Sequence, residues 1–325
     1  MTKIAINGFG RIGRLFFRQV SGKRNLQVVA INDLGDRENL EYLLKYDTVY
    51  GRFEGKLPEH VLQEKDPAKL PWGKLGIDVV VEATGVFDSY EEAQAHLRAG
   101  AKRVVITAPA KDEDGELGRT VLSGVNEKDM KACRITSNGS CTTNSIASVI
   151  QVLDEGIGVA KALLNTTHGY TATQSLVDGP TRGKDMRRGR AAAQNIIPSS
   201  TGAAIATTRA VKSLEGKFDG IALRVPVPAG SIADITFLAK RPTTVEEVNT
   251  ILTKAASSLR FKNVLQVTQE ALVSSDVLGQ PYGALVDLEM TRVVGGDLVK
   301  VLSWYDNEWG YAATLVRHVE VAAAA

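Results

Sequence analysis

Gly8-Phe9-Gly10-Arg11-Ile12-Gly13 lies between an apolar run at residues 3–7 and a run with helical spacing at residues 11–20. Asp33 stands twenty residues beyond the last of these glycines, at the end of the next apolar run. Each piece has a physical task. The glycines permit a tight turn and close approach of backbone to a pyrophosphate, the helix N-terminus offers unpaired N–H groups and a positive dipole, and the carboxylate takes ribose hydroxyls. The segment therefore reads as the opening βαβ unit of a Rossmann dinucleotide-binding domain. The charge on Asp33 repels a 2′-phosphate, which points to NAD over NADP.

The same alternation continues through the first half, with apolar runs at 26–32, 79–82 and 103–107 and helical patterns at 37–46 and 90–99. Alternation of this kind feeds a parallel sheet. From about residue 159 the runs lengthen and alternate in character, at 162–167, 219–226, 231–239, 282–287 and 297–304, with a helix at 245–259. The fold class expected is α/β: a Rossmann domain over 1–141, completed by a C-terminal helix at 306–325, and an α+β catalytic domain over 142–305 on a mostly antiparallel sheet. Residues 132–137 read as a strand. Residues 177–201 carry arginine, glycine and proline without periodicity and read as an irregular functional loop, whereas the charged run 111–116 reads as a solvated one.

With 325 residues, 44% hydrophobic, the chain has material for two domains, and a formal net charge of +2 argues against nucleic acid or an anionic membrane as the main partner. Any anion site must be local. The start, Met1-Thr2-Lys3-Ile4, lacks a basic leader and no stretch of about 18 apolar residues occurs, so a cytoplasmic protein is expected. The only cysteines, Cys133 and Cys141, form no CxxC pair or His/Cys cluster, which indicates neither a disulfide framework nor a metal site.

Cys141 follows a strand-like run and opens a helical one, so its thiol sits in the first turn, where free N–H groups and the helix dipole favour thiolate. An inert buried thiol is the alternative for Cys141 and the better reading of Cys133. His168 ends another apolar run among small hydroxyl residues and suits the base that deprotonates Cys141; a satisfied structural histidine is its alternative. His60, His96 and His318 read as packing or surface residues. Arg187-Arg188-Gly189-Arg190, Ser199-Ser200-Thr201-Gly202 and Arg224 offer donors suited to phosphate oxygens.

These segments resemble the glyceraldehyde-3-phosphate dehydrogenase family over nearly the whole chain, through INGFGRIGR at 6–14, VEATGVF at 81–87, SNGSCTTN at 137–144, ALRVPVP at 222–228 and SWYDNEWGY at 303–311. The resemblance implies oxidation of D-glyceraldehyde 3-phosphate with NAD and inorganic phosphate through a thioester on Cys141, with His168 as base. It maps the cofactor onto Gly8, Arg11, Ile12, Asp33, Thr84, Phe87, Thr107 and Asn307, the last orienting the nicotinamide amide. It maps the substrate phosphate onto Thr171, Thr173 and Arg224, and inorganic phosphate onto Ser140, Thr142, Thr201, Gly202 and Arg188, with Arg187 as the alternative to Arg188. It further implies a homotetramer, in which the 177–201 loop reaches a neighbour's cofactor, and Leu34 with Gly179-Pro180 resembles the NAD-using members.

Four features depart from the family pattern. The chain is short between Phe53 and Asp66, Gly139 replaces an alanine, and Ser145 replaces a second cysteine, leaving Cys141 no i+4 thiol to pair with on oxidation. Thr181-Arg182-Gly183-Lys184 lengthens a loop, whose Arg182 and Lys184 partly offset the repulsion of a 2′-phosphate. Two rival readings are the related erythrose-4-phosphate dehydrogenase, against which the Ser200-Thr201-Gly202-Ala203-Ala204 segment argues, and a nucleotide- or RNA-binding protein without catalysis, which needs no activated thiol.

Overall fold

A computed structural model describes residues 1–181 and 185–325; Arg182, Gly183 and Lys184 of the lengthened loop lie outside the described residues. The chain forms two compact units, Met1–Ser140 with Ala312–Ala325, and Cys141–Tyr311.

The first unit carries β1 (Thr2–Asn7), β2 (Leu26–Asn32), β3 (His60–Leu62), β4 (Val79–Glu82), β5 (Arg103–Ile106), β6 (Gly118–Thr120) and β7 (Ile135–Ser137). They form one sheet in the order β3-β2-β1-β4-β5-β7-β6, and the described pairings are all parallel. The order changes direction between β1 and β4, so the crevice beyond the carboxyl ends of those strands is where such a sheet takes its ligand. Its central strands carry apolar side chains on both faces, Ile4-Ala5-Ile6 in β1 and Val79-Val80-Val81 in β4, because both faces are covered. On one face α1 (Arg11–Val20) packs Leu15, Phe16 and Val20 against Ile4, Ile6, Val79 and Val81. On the other, Trp72 of α3 (Trp72–Leu75) and Tyr90 of α4 (Tyr90–Arg98) meet Ala5, Val80 and Val104. Helix α2 (Arg37–Lys45) starts where the Asp36 carboxylate accepts from Asn39 N, and α4 where Ser89 Oγ accepts from Glu92 N at 3.1 Å. Such caps each contribute about 1 kcal/mol.

The second unit opens with α5 (Cys141–Gly156), followed by β8 (Val159–Gly169), β9 (Ile197–Ser200), α6 (Ala203–Ala210), β10 (Phe218–Val225), β11 (Ser231–Ala239), α7 (Val245–Ala256), β12 (Leu265–Thr268), β13 (Ala284–Val294) and β14 (Leu298–Tyr305). Helix α8 (Trp309–Ala324) closes the chain. The sheet runs β12-β13-β14-β11-β8-β10-β9. Pairing is antiparallel except for β8 with β10 and β12 with β13, so the sheet is mixed. Burial alternates strictly along β11, as expected of a sheet with one face against helices.

Two expectations need correction. Residues 177–201 are not irregular throughout: a 3₁₀ turn spans Met186–Gly189 and β9 follows. Pro198 hid the strand, but β9 is an edge strand, where a missing N–H is tolerated. The strand expected at 132–137 is confined to Ile135–Ser137, because Glu127–Ala132 winds into a 3₁₀ helix.

Candidate active site

In the first unit the candidate cofactor residues gather at the carboxyl ends of β1, β2, β4 and β5. Gly8 has φ +95°, and a Cβ there would lie 2.6 Å from Ala83 and Thr84 backbone; a Cβ on Gly13 would lie 2.2 Å from Gly8 O. Both positions require glycine for these approaches. Gly10 is the N-cap of α1 with no side-chain cap, and nothing lies within 4 Å of where its Cβ would be. Such a helix start fits a pyrophosphate. Asp33 follows β2, and its carboxylate accepts from Phe9 N at 2.6 Å and Gly35 N at 2.8 Å, which fixes it beside the glycine turn with lone pairs left for ribose hydroxyls. Arg11 pairs with Asp47, and Ile12 follows it in the first turn of α1. Thr84 follows β4, donates its hydroxyl to Glu82 and lies exposed, with Phe87 half-buried beyond it. Thr107 follows β5 and donates its N–H to Glu82 O at 3.0 Å. The residues present fit a dinucleotide.

In the second unit Cys141 is the first residue of α5, and His168 comes near the end of β8. Cys141 Sγ lies 3.3 Å from His168 Nε2. Arg224 stands opposite His168 in the parallel register of β8 and β10. His168 Nδ1 is 2.6 Å both from the Gly169 carbonyl oxygen and from Arg224 Nη1. The two contacts compete for Nδ1, since the guanidinium needs a lone pair there and Gly169 O a proton. Arg224 Nη1 also donates to Gly169 O at 3.2 Å, and for His168 to act as base on Sγ the proton must sit on Nδ1, bonded to Gly169 O, with the Nε2 lone pair toward Sγ. Burial, seconded by the Arg224 charge, pushes the imidazole down to about 3, so it is neutral near pH 7 and free to take a proton.

The thiol departs from expectation. Helix position alone favours thiolate, yet burial pushes Cys141 up, outweighing the Arg224 charge and the hydrogen bonds at Thr142. At rest the couple is therefore a neutral thiol beside a neutral imidazole. Iodoacetamide alkylation of wild type should therefore fall about tenfold per pH unit below a midpoint above about 8.5, the ordinary thiol value. A rate that stays level well below about pH 8.5 would mean that the couple rests as thiolate–imidazolium and that burial does not govern the thiol.

Thr171 and Thr173 hydroxyls are 3.0 Å apart, and Arg188 Nη1 donates to Thr173 Oγ1 at 3.3 Å. Arg187 is turned to solvent, its side chain 63% exposed against 28% for Arg188, so of the two it is Arg188 that lies against Thr173. Arg224 Nε is buried and makes no hydrogen bond among the described residues. Gly202 is the N-cap of α6 without a side-chain cap, and Thr201 Oγ1 accepts from Ala203 N. Ser140 is partly exposed immediately before Cys141. The Thr142 hydroxyl is buried and lies 2.8 Å from Tyr305 Oη. Asn307 Oδ1 accepts from Gly230 N at 3.0 Å and from Ser231 Oγ at 2.9 Å, which takes up the amide oxygen and fixes Nδ2 as the opposite, donating side of the amide.

Residues 2–90 match the family model described as glyceraldehyde 3-phosphate dehydrogenase, NAD binding domain, and residues 140–307 match its C-terminal domain. The chain belongs to the glyceraldehyde-3-phosphate dehydrogenase family. It is 48% identical to the glyceraldehyde-3-phosphate dehydrogenase of Thermotoga maritima, over 99% of both chains. It is 46% identical to that of Streptomyces coelicolor, over 97% of this chain and 96% of the relative, and 46% identical to that of Clostridium pasteurianum, over 98% of each. The NAD-binding domain carries the cofactor expectation with it. Among the described residues no helix is long and apolar enough to cross a membrane.

One residue of this family site was not singled out from sequence. Tyr305, at the end of β14, packs its ring edge-on to His168 with centroids 5.9 Å apart, and its hydroxyl bridges Thr142 and Thr166 at 2.8 and 2.7 Å. Burial, with the nearby Cys141, pushes that phenol up, so it remains a neutral hydrogen-bonding wall behind the couple. Its signal lay two residues before Asn307 in the SWYDNEWGY segment.

Proposed function

We propose that this chain converts D-glyceraldehyde 3-phosphate to 1,3-bisphosphoglycerate with NAD and inorganic phosphate. The observation that carries the proposal is the 3.3 Å approach of Cys141 Sγ to His168 Nε2, with an arginine on the neighbouring strand. Cys141 Sγ adds to the aldehyde carbon while its proton passes to His168 Nε2 and the carbonyl oxygen becomes that of a hemithioacetal. When bound, NAD supplies the hydride acceptor that turns this adduct into a thioester on Cys141. An oxygen of inorganic phosphate then attacks the thioester carbon, the C–S bond breaks, and the acyl phosphate leaves with the thiolate restored.

Arg224 with Thr171 and Thr173 holds the substrate's phosphate, the guanidinium supplying the charge and the hydroxyls the remaining donors. Arg188, Thr201, Ser140 and the N–H groups at Gly202 and Thr142 hold the attacking phosphate, the last two at helix starts. Gly8, Arg11, Ile12, Asp33, Thr84, Phe87 and Thr107 hold NAD, and Asn307 orients its amide. A homotetramer in the cytoplasm is part of the same reading and rests on the family resemblance.

The substrate assignment is tested by kcat/KM for the two aldehydes that share this chemistry. Glyceraldehyde 3-phosphate should exceed erythrose 4-phosphate by at least about tenfold, a typical discrimination for one extra hydroxylated carbon. A preference for the four-carbon aldehyde would replace this proposal with the related erythrose-4-phosphate activity.

A further inference from the structure

The first unit contains a chain of buried polar side chains that the chemistry above leaves unused. Its anchor is Glu82, the last residue of β4 and 2% exposed. Glu82 Oε2 accepts from Asn7 Nδ2 at 2.6 Å and faces His96 Nε2 at 3.0 Å, while Oε1 accepts from Thr84 N at 2.8 Å and Thr84 Oγ1 at 2.5 Å. Behind it, His96 Nδ1 accepts from the Trp72 indole N–H at 3.0 Å, both side chains being fully buried. Ahead of it, Asn32 Nδ2 donates to Asn7 Oδ1 at 2.7 Å, and Asn32 Oδ1 accepts from Glu64 N at 2.9 Å.

Both ends of this chain are groups that can only donate, an indole N–H and a backbone N–H. That settles every orientation between them. The indole occupies Nδ1, so the imidazole proton sits on Nε2 and points at Glu82; Glu64 N–H fixes the Asn32 amide, which fixes the Asn7 amide. No member can flip without setting two donors face to face in the interior, a loss of the kind that costs a full buried hydrogen bond.

The placement of this chain is what gives it a purpose. Asn7 immediately precedes Gly8, Asn32 immediately precedes Asp33, and Glu82 grips Thr84 by both its N–H and its hydroxyl. The main-chain oxygens of Asn32 and Asn7 also receive Gly8 N and Ala83 N at 2.8 and 2.7 Å. We propose that Trp72, His96 and Glu82 are positioning residues for NAD, which lock the ends of β1, β2 and β4 at the spacing that the pyrophosphate turn, the ribose carboxylate and Thr84 require. The inference rests on NAD binding at those strand ends and touches nothing in the second unit, so its signature is an effect on cofactor affinity without one on the chemical step.

The test compares His96→Phe with His96→Gln in the full-length protein. A glutamine amide can accept from the indole and donate to Glu82 as the neutral imidazole does; phenylalanine does neither. His96→Phe should raise the Kd and KM for NAD at least about tenfold, with kcat at saturating NAD within about twofold of wild type. His96→Gln should restore the Kd to within about threefold. If His96→Phe folds poorly by circular dichroism, Trp72→Phe, which removes only the indole donor and little volume, should raise the Kd for NAD at least about threefold on its own. The proposal is overturned if the phenylalanine variants bind NAD like wild type, if His96→Gln is as impaired as His96→Phe, or if kcat falls instead of affinity. Failure of the wild type to bind NAD would instead remove the cofactor assignment itself.

Discussion

Cys141→Ser should leave less than about a thousandth of the wild-type dehydrogenase rate, at the lower end of what loss of a nucleophile costs, while NAD binds as before. Serine keeps the side chain's size and its place 3.3 Å from His168 Nε2, so the geometry survives. The chemistry does not. A hydroxyl does not ionise near neutral pH, and the imidazole, pushed down to about 3, is too weak a base to remove its proton. Because burial already pushes the thiol itself up, the couple works only because sulfur gives up its proton far more readily than oxygen. Steady-state rates with saturating substrate and NAD, alongside NAD titration, measure both halves. A variant retaining more than about a thousandth of the rate would place the nucleophile elsewhere.

Residues whose role is set by their neighbours in sequence were legible before any coordinates. Gly8 and Gly13 announce a close backbone approach by spacing alone, and in the fold a Cβ at either would meet neighbouring backbone at 2.6 or 2.2 Å. The helix start at Cys141 could likewise be read, since a polar turn precedes a long apolar run. Three other things depend on packing between distant segments. Nothing local shows that Thr142 turns its hydroxyl to Tyr305, 163 residues away, or that the thiol is pushed up, because burial is a property of the surroundings. His96 looked like an ordinary packing residue, and it does pack. Its hydrogen bonds to Trp72 and Glu82 join three elements that sequence spacing cannot bring together. Strand β9 was hidden for a different reason: Pro198 argues against a strand unless one knows that it lies at a sheet edge.

Turnover without inorganic phosphate is the most direct test, because it isolates the thioester on Cys141 and the need for an anion to release it. Rapid mixing of enzyme with NAD and glyceraldehyde 3-phosphate in phosphate-free buffer should give a burst of about one NADH per active site, followed by a stall as the covalent intermediate accumulates. Adding phosphate should restore steady turnover. Water is always present, so the stall requires that the Cys141 thioester be shielded from it or react with it slowly, whereas in the proposed function phosphate is taken up by Arg188, Thr201 and the Gly202 N–H. Rapid, sustained NADH production in phosphate-free buffer would contradict this account and mark a hydrolytic enzyme that has no use for a second phosphate site.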